Sequence, residues 1–425
     1  MALEVEVAKT MGYPKRYSFT DRTAMRDFFK VEERIVEEQS GTDFARTHAS
    51  PPRFDVRLEL TDNGPFASPF WDHAHGNVFV VYQDWKPAAT VAGIVDPEYW
   101  KAHPEMGKVG WFGWLSTIND PNVLAKAMGK VESYLREDGC NNVMGPVNPS
   151  LSYGAEAGVL IDGFGETTKT KMTKNPPYLG PLLESLGYGK RKDLISYVIT
   201  EAAFLRRFGM QDKNLRKDQI IAKLQEKKAE KEAAWRKEGL EVRARDMKMF
   251  PFSLFSDTPT MGEMYSEIWK SNWGSMTLTK EEQTSLGSQM AIFSPRRFVR
   301  FIEVNGKPAA FYGILPNYAR HVFHGTDGRL TPKTIGKFLK TRFYSAEDAF
   351  TDTEFRLAMF GRRQEYAHLK LATYMFLDAC EVAYGAGTTK LDASWVLEDN
   401  RHMAIPIVRF GGKKSEVRRL YGKSL

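Results

Sequence analysis

Cysteine is almost missing from this chain of 425 residues: Cys140 and Cys380 stand alone and far apart. Two such residues exclude a disulfide scaffold and a cysteine-rich zinc module. Long apolar runs are missing too. No uncharged stretch reaches the 18 or so residues of a membrane-spanning helix, and the opening MALEVEVAKTMGYPKRYSF lacks the apolar core of a secretory signal. A cytoplasmic protein is expected, with peripheral contact at the inner membrane as its closest approach to lipid. Charge of one sign is scarce as well, with 60 Lys+Arg against 53 Asp+Glu and a net of +7. Basic residues are not interleaved with aromatics on one face and no nucleic-acid module is recognisable, so nucleic acid is excluded as a partner.

What is present is enough to fold. Hydrophobic residues make up 42%, including 27 Phe, 17 Tyr and 9 Trp, which supplies sizeable cores, and the length suits two or three domains. The basic residues are concentrated. Arg206–Lys237 holds eleven basic against five acidic residues, Arg401–Leu425 seven against one, and the remaining chain is mildly acidic. The first of these segments is rich in strong helix formers and thin in apolar residues, and Gly239 stops it. Its composition predicts a solvated helical linker over residues 206–240, between domains at 1–205 and 241–425.

The two flanking domains repeat one order of elements. NVFVVYQDWKPAATVAGIV (Asn77–Val95) and FVRFIEVNGKPAAFYGIL (Phe298–Leu315) each read as a hairpin, and both carry Lys-Pro-Ala-Ala, at Lys86–Ala89 and Lys307–Ala310. An apolar strand follows in each (Val109–Leu115; Phe355–Gly361), then a helix (Leu124–Gly139; Leu371–Gly387), then another strand (NNVMGPVN; TKLDASWV). An asparagine, Asn175 or Asn400, next opens a further helix, which ends at a glycine before the last strand. Offsets above two hundred residues with a preserved order indicate a duplicated domain, each half an α/β unit on a mixed sheet.

This order resembles the GNAT acyltransferase fold, present twice. GPVNPS (Gly145–Ser150), GVLIDGF (Gly158–Phe164), NPPY (Asn175–Tyr178), NWG (Asn272–Gly274) and SWVLEDN (Ser394–Asn400) are similar to phrases of the large bacterial two-domain GNAT-like proteins that include bacterial ceramide synthases. The resemblance implies a tandem α/β (α+β mixed sheet) fold and acyl transfer from a thioester to an amine, a sphingoid base at family level. It implies no permanently bound cofactor, with acyl-CoA or the phosphopantetheine thioester of an acyl carrier protein as co-substrate. Acylation of a small amine or amino acid, and a degenerate pair that only binds an acyl ligand, are the rival readings.

The GNAT phosphate loop, Arg/Gln-x-x-Gly-x-Gly/Ala, falls here on Met359, Phe360, Gly361, Arg362, Arg363, Tyr366, His368 and Lys370. Side chains replace both loop glycines, and this crowds the backbone that approaches a pyrophosphate. Arg362, Arg363 and Lys370 could hold phosphate through side chains instead. CoA, a carrier protein and a dead site all stay open on this evidence. The first half has no version of the loop.

The candidate catalytic residues carry plain alternatives. Asp392 lies among small and apolar residues of a strand and is a general base or a backbone-bonded strand acid. Glu156, in SYGAEAGVLIDGF, is a second base candidate or a turn acid. Asn400 is a helix cap whose GNAT counterpart also lies near the thiol. His402 faces cleft or solvent. Tyr421 in the last strand is a proton donor to the leaving thiolate or a packed aromatic, and Tyr366 and His368 could act likewise from the loop. His73 and His75 invite a metal reading, but no further ligand completes a set, so no metal is expected. WFGWL, TYMFL and Met249–Phe255 are acyl-tunnel or core runs. His321–Phe343 is an insertion with the mixed apolar and basic character of a lid or a helix facing an anionic membrane.

Overall fold

The computed structural model describes residues 2–12, 19–153, 156–210, 215–248, 256–343 and 353–425. Met249–Phe255 lies outside them. The first half supplies β1 (Leu3–Gly12), β2 (Phe19–Thr20), β3 (His75–Gln83), β4 (Lys86–Val95), β5 (Val109–Thr117) and β6 (Asn142–Gly145). Strands β7 (Val147–Asn148) and β8 (Glu156–Ala157) form a separate ribbon, followed by β9 (Val159–Asp162) and β10 (Gly189–Thr200). The second half supplies β11 (Val242–Asp246), β12 (Val299–Val304), β13 (Lys307–Pro316), β14 (Thr353–Arg362), β15 (Thr388–Leu397) and β16 (Lys413–Ser424). The β3–β4 and β12–β13 hairpins turn through residues with positive φ, Asp84–Trp85 and Asn305–Gly306. That backbone matches strand twist, and it is adopted at Trp85 without help from glycine.

The repeats are joined in one sheet of order β11-β12-β13-β14-β15-β10-β16-β6-β5-β4-β3-β1-β2, with β9 beside β16. Two features of this order differ from two self-contained units. β10, which ends the first half, pairs with β15 of the second (Leu194 opposite Leu397), and β16, which ends the chain, pairs with β6 of the first (Tyr421 opposite Gly145). The halves therefore exchange their last strands. They also share a core: Phe70, Trp71, Trp111 and Tyr153 of the first half pack in one cluster with Met264, Met290, Phe293 and Phe311 of the second.

The charged helix forms, at Lys217–Lys237, docked along one face and solvated along the other. Ile220 and Leu224 are buried, Trp235 meets Tyr374 edge-on, and Lys228 pairs with Asp378 and, at 2.7 Å, with Glu381 on the helix Ala372–Gly385. Arg300 also reaches Asp378, at 3.0 Å, while Lys217, Lys223, Glu226, Glu230, Arg236 and Lys237 of the helix stay exposed. The segment around Asn175 also departs from expectation. The helix there starts only at Leu179, and the Asn175 amide instead accepts from Leu160 N at 2.7 Å and donates to Leu160 O at 3.2 Å.

Two splayed strand pairs in the candidate functional site

Each half places two parallel strands side by side and then separates them. In the second half β14 and β15 pair from Thr353–Thr388 to Leu357–Ala393 and then diverge, with a register slip against β13 that leaves Ala358 unpaired. In the first half β5 and β6 pair only over Val109–Asn142 to Trp111–Met144. Separated parallel strands leave backbone N–H and C=O groups that a third chain can bond.

The second-half splay is open. A groove of about 560 Å³ runs along it, lined by Phe360, Gly361 and Arg362 on β14, Ala393–Leu397 on β15, and Asn400, His402 and Met403 beyond. Asn272 and Trp273 of the NWG phrase form part of its wall. Gly361 is required here, since a Cβ would lie 2.7 Å from Ile268 and 2.8 Å from Trp269. Ala372 and Met375, in the first turn of the helix that follows β14, face the same groove, and no side chain caps that helix. Uncapped N–H groups at a helix start favour an anion.

The first-half splay is filled by its own chain. Residues 146–148 cross it, and the Asn148 side-chain oxygen accepts from Trp114 N at 2.7 Å. Gly113 permits this approach, because a Cβ there would come 2.0 Å from Val147 O. What remains is an inner chamber of about 130 Å³, bounded by Thr90, Trp114, Asn148, Glu156, Gly158, Asn175 and the segment 168–174. An apolar space of about 80 Å³ lies between the two sites. It shares Lys171 and Phe293 with the chamber, and Trp269, Ala358 and Trp395 with the groove.

Ionisable groups concentrate at the chamber. Lys171, held in a left-handed backbone conformation (φ 57°), sets its ammonium 2.6 Å from Asp55 and 2.7 Å from Glu59. Arg356 fixes this segment by donating to Thr170 O (3.0 Å) and Lys171 O (2.7 Å). Glu156 accepts from Asn148 Nδ2 at 3.1 Å. Burial lifts the Glu156 carboxyl above its ordinary range, and its acidic neighbour Asp55 adds to the effect. Burial likewise raises Glu59 to about 8, against the opposing pull of Lys171. Three carboxyl groups, Asp55, Glu59 and Glu156, thus lie around one ammonium, and burial is the first cause of the raised values at Glu59 and Glu156.

The candidate residues fall into distinct places. Phe360, Gly361, Arg362, Asn400 and His402 share the open groove, and Met359 lines the apolar space beside it. Asn400 caps its helix, accepting from Met403 N at 3.2 Å. Arg363 turns to Glu263 (3.2 Å) and Glu267 (3.0 Å). Tyr366 and His368 line a separate surface hollow with Val304 and Asn305, away from the groove. Gln364–Leu369 is a 3-10 turn closed by Lys370 at φ 52°, so a short helical turn stands where the glycine cradle would be. Tyr421 lies in the first half's share of the sheet and donates to Glu184 at 2.8 Å, because β16 crosses over.

Asp392 is fully buried and lines no cavity described above; its carboxylate is 2.8 Å from Lys169, which also holds Glu416 at 2.6 Å. His73 bridges Asp96 (3.1 Å) and Glu282 (3.2 Å), one acid from each half. Burial opposes its charge, but the two hydrogen bonds prevail and push it up to about 10. His75 meets the Tyr134 hydroxyl at 2.8 Å, and no cluster among the described residues could hold a metal.

Sequence reasoning missed Lys171, Asp55, Glu59, Arg356 and Lys169. One signal was available: ETTKTKMTKN (Glu166–Asn175) spaces three lysines among small polar residues between two of the family-like phrases.

No protein-family model matches the chain. It is 25% identical over 390 residues to a bacterial ceramide synthase of Caulobacter vibrioides, covering 90% of this chain and 93% of that one. It is 26% identical over 384 residues to protein YghO of Escherichia coli, covering 88% of each. Among solved structures it is similar to a tandem GNAT protein from the clavulanic acid biosynthesis pathway, with a TM-score of 0.50, 9% identity, and 99% and 98% of the two chains covered. The fold is thus the GNAT fold in tandem. Both curated relatives are matched over nearly their whole length.

Proposed function

We propose that the protein is an N-acyltransferase that binds an acyl thioester in the second-half groove and an amine in the first-half chamber. The observation that carries this reading is a chamber with the carboxyl of Glu156, raised by burial, on its wall, adjoining an open splay. Lys171 pairs with Asp55 and Glu59, and a substrate ammonium meets Glu156, the chamber carboxyl held by Asn148. Glu156 accepts its proton, the freed amine attacks the thioester carbonyl, and backbone N–H groups of the separated β14 edge hold the oxyanion. Collapse expels the thiolate, which takes up the proton shed by the acylated nitrogen and leaves along the groove as the thiol. Trp269, Ala358 and Trp395, where groove and apolar space meet, mark the reacting centre.

Acyl-CoA is the donor this geometry supports. Arg362 and the uncapped helix start at Ala372 offer a phosphate site at the groove, although the glycine cradle is absent. The ceramide synthase relative makes a sphingoid base the first acceptor to try, with small amines as comparison. Thermal shifts with CoA, long-chain acyl-CoA and acyl carrier protein test the groove. Stabilisation by acyl-CoA is expected, and no stabilisation by any of the three would overturn the transferase reading.

A further inference from the structure

Strand β5 bulges where it borders the chamber. Thr90 pairs with Ser116 and Ala92 with Gly113, so Trp114 and Leu115 together oppose Val91 alone. Trp114 sits in this bulge at φ 43°, a left-handed conformation that bulky residues rarely adopt. Its backbone is pinned on both sides. The N–H donates to Asn148 Oδ1 at 2.7 Å, and the C=O accepts from the Thr90 hydroxyl at 3.1 Å. A bulge re-aims a side chain, and backbone strain of this kind collects where a ligand is held.

The indole fixed in this way has nothing to bond. Trp114 is 7% exposed and lines the chamber, yet its Nε1–H is buried without an acceptor. Tyr318, 1% exposed, also lines the chamber and keeps its hydroxyl unpaired. Buried Trp and Tyr ordinarily find a partner for these groups. His48 is a third wall residue with an unpaired nitrogen, Nδ1, but its Nε2 lies 2.8 Å from Glu32 and its ring can donate or accept. An indole N–H can only donate, so the partner it lacks is an acceptor.

The charges around the chamber decide which kind of acceptor fits. Lys171 is held by Asp55 and Glu59, and Lys169 by Asp392 and Glu416. Lys174 spends its three N–H bonds on the Thr47 hydroxyl, Phe164 O and Glu166 O. Among the described residues, no lysine of the chamber wall is left over for a carboxylate, whereas an uncharged hydroxyl needs only the N–H. A chamber of about 130 Å³ that also has Glu156 on its wall leaves room for that oxygen only close to the reacting nitrogen.

We propose that Trp114 and Tyr318 are the specificity-determining residues of the chamber. They select an amine with a hydroxyl near its nitrogen over the bare alkylamine and over the amino acid. The inference rests on the amine-binding reading of the chamber and adds the residues that choose among amines.

Calorimetry of the full chain, without thioester, tests it on three amines of one chain length: 2-amino-1-decanol, decylamine and 2-aminodecanoic acid. The amino alcohol should bind about tenfold more tightly than decylamine, and the acid most weakly. Trp114→Phe should bring that ratio to about one and Tyr318→Phe to about three. Tyr318→Phe removes an unpaired buried hydroxyl, so it should melt no lower than the unmodified chain. If Trp114→Phe fails to fold, the ratio in Tyr318→Phe decides alone. Equal binding of decylamine and the amino alcohol, tightest binding of the acid, or a ratio unchanged in the folded variants would overturn the proposal. Binding of none of the three would overturn it together with the amine reading of the chamber. The expected preference without acyl transfer from acyl-CoA would uphold it and overturn the transferase reading alone.

Discussion

The two splayed strand pairs have one ancestry in topology and opposite fates in detail. In the first half Gly113 lets residues 146–148 lie against β5, and Asn148 takes the Trp114 N–H that a bound ligand would otherwise meet. In the second half Gly361 makes room for Ile268 and Trp269 instead, so a helix floors the cleft and the strand edge stays open. The first cleft thereby becomes a chamber lined by both carboxylates and lysines and the second a groove of about 560 Å³. A duplicated fold can divide two substrates between its copies by deciding where one glycine admits backbone and where it admits a side chain. The exchanged strands β10 and β16 join the clefts into one sheet, and Arg356 of the second half holds the lysine-bearing segment of the first.

Breaking the chamber should have the largest effect. Glu156→Gln is expected to lower turnover by roughly 10²–10⁴-fold, the usual range for a general base, with acyl-CoA affinity unchanged. Unaltered turnover would remove the chamber from the chemistry. Lys169→Met strips the cation from buried Asp392, leaves Glu416 with Arg418 alone, and should cost about 3–5 kcal/mol of stability in denaturant unfolding. Asp392→Asn should then act on stability rather than on turnover per folded molecule, and a turnover defect with normal stability would restore Asp392 as a base. Asn148→Ala uncaps the buried Trp114 N–H, at about 1–3 kcal/mol of stability. If it also let the first cleft bind CoA, the division between the clefts would be shown to rest on that cap. Arg362→Ala should weaken acyl-CoA roughly tenfold and leave a short pantetheine thioester unaffected, a difference calorimetry can read.

A pH profile sharpens the same contrast. Glu59 sits at about 8 and Glu156 above its ordinary range, so turnover should climb with pH well beyond the usual carboxylate region. Stability should move the other way. A carboxyl raised by burial is fully accommodated below its ordinary 4.5, and that contribution is lost as pH rises through about 8. His73, raised to about 10 between the halves, behaves with the same sign, present below 6.5 and lost toward 10.

Much of this was legible because it is local. Hairpin turns, the repeated order of elements and the Asn400 cap are set by near neighbours in sequence. The phrases similar to the two-domain GNAT-like proteins line the clefts: Asn148, Gly158 and Asn175 border the chamber, and Asn272 and Ser394–Leu397 border the groove. Strand exchange was not legible, because β10 and β16 have the same pattern of alternation whichever sheet edge they join. Tyr421 was misjudged as a groove neighbour for that reason. The lysines of Glu166–Asn175 showed no role in the sequence, since their acidic partners Asp55, Glu59 and Glu416 lie far away in it. The docked face of the helix Lys217–Lys237 was hidden for a related reason, the partners Asp378 and Glu381 of Lys228 being remote as well.

The assignment of substrates to clefts can be read in one experiment. A photoreactive long-chain acyl-CoA thioether, crosslinked to the full chain and mapped by mass spectrometry, should label residues 356–362 and 393–403 of the open groove. Labelling confined to residues 111–117 and 146–148 would place the thioester in the first half and contradict the account.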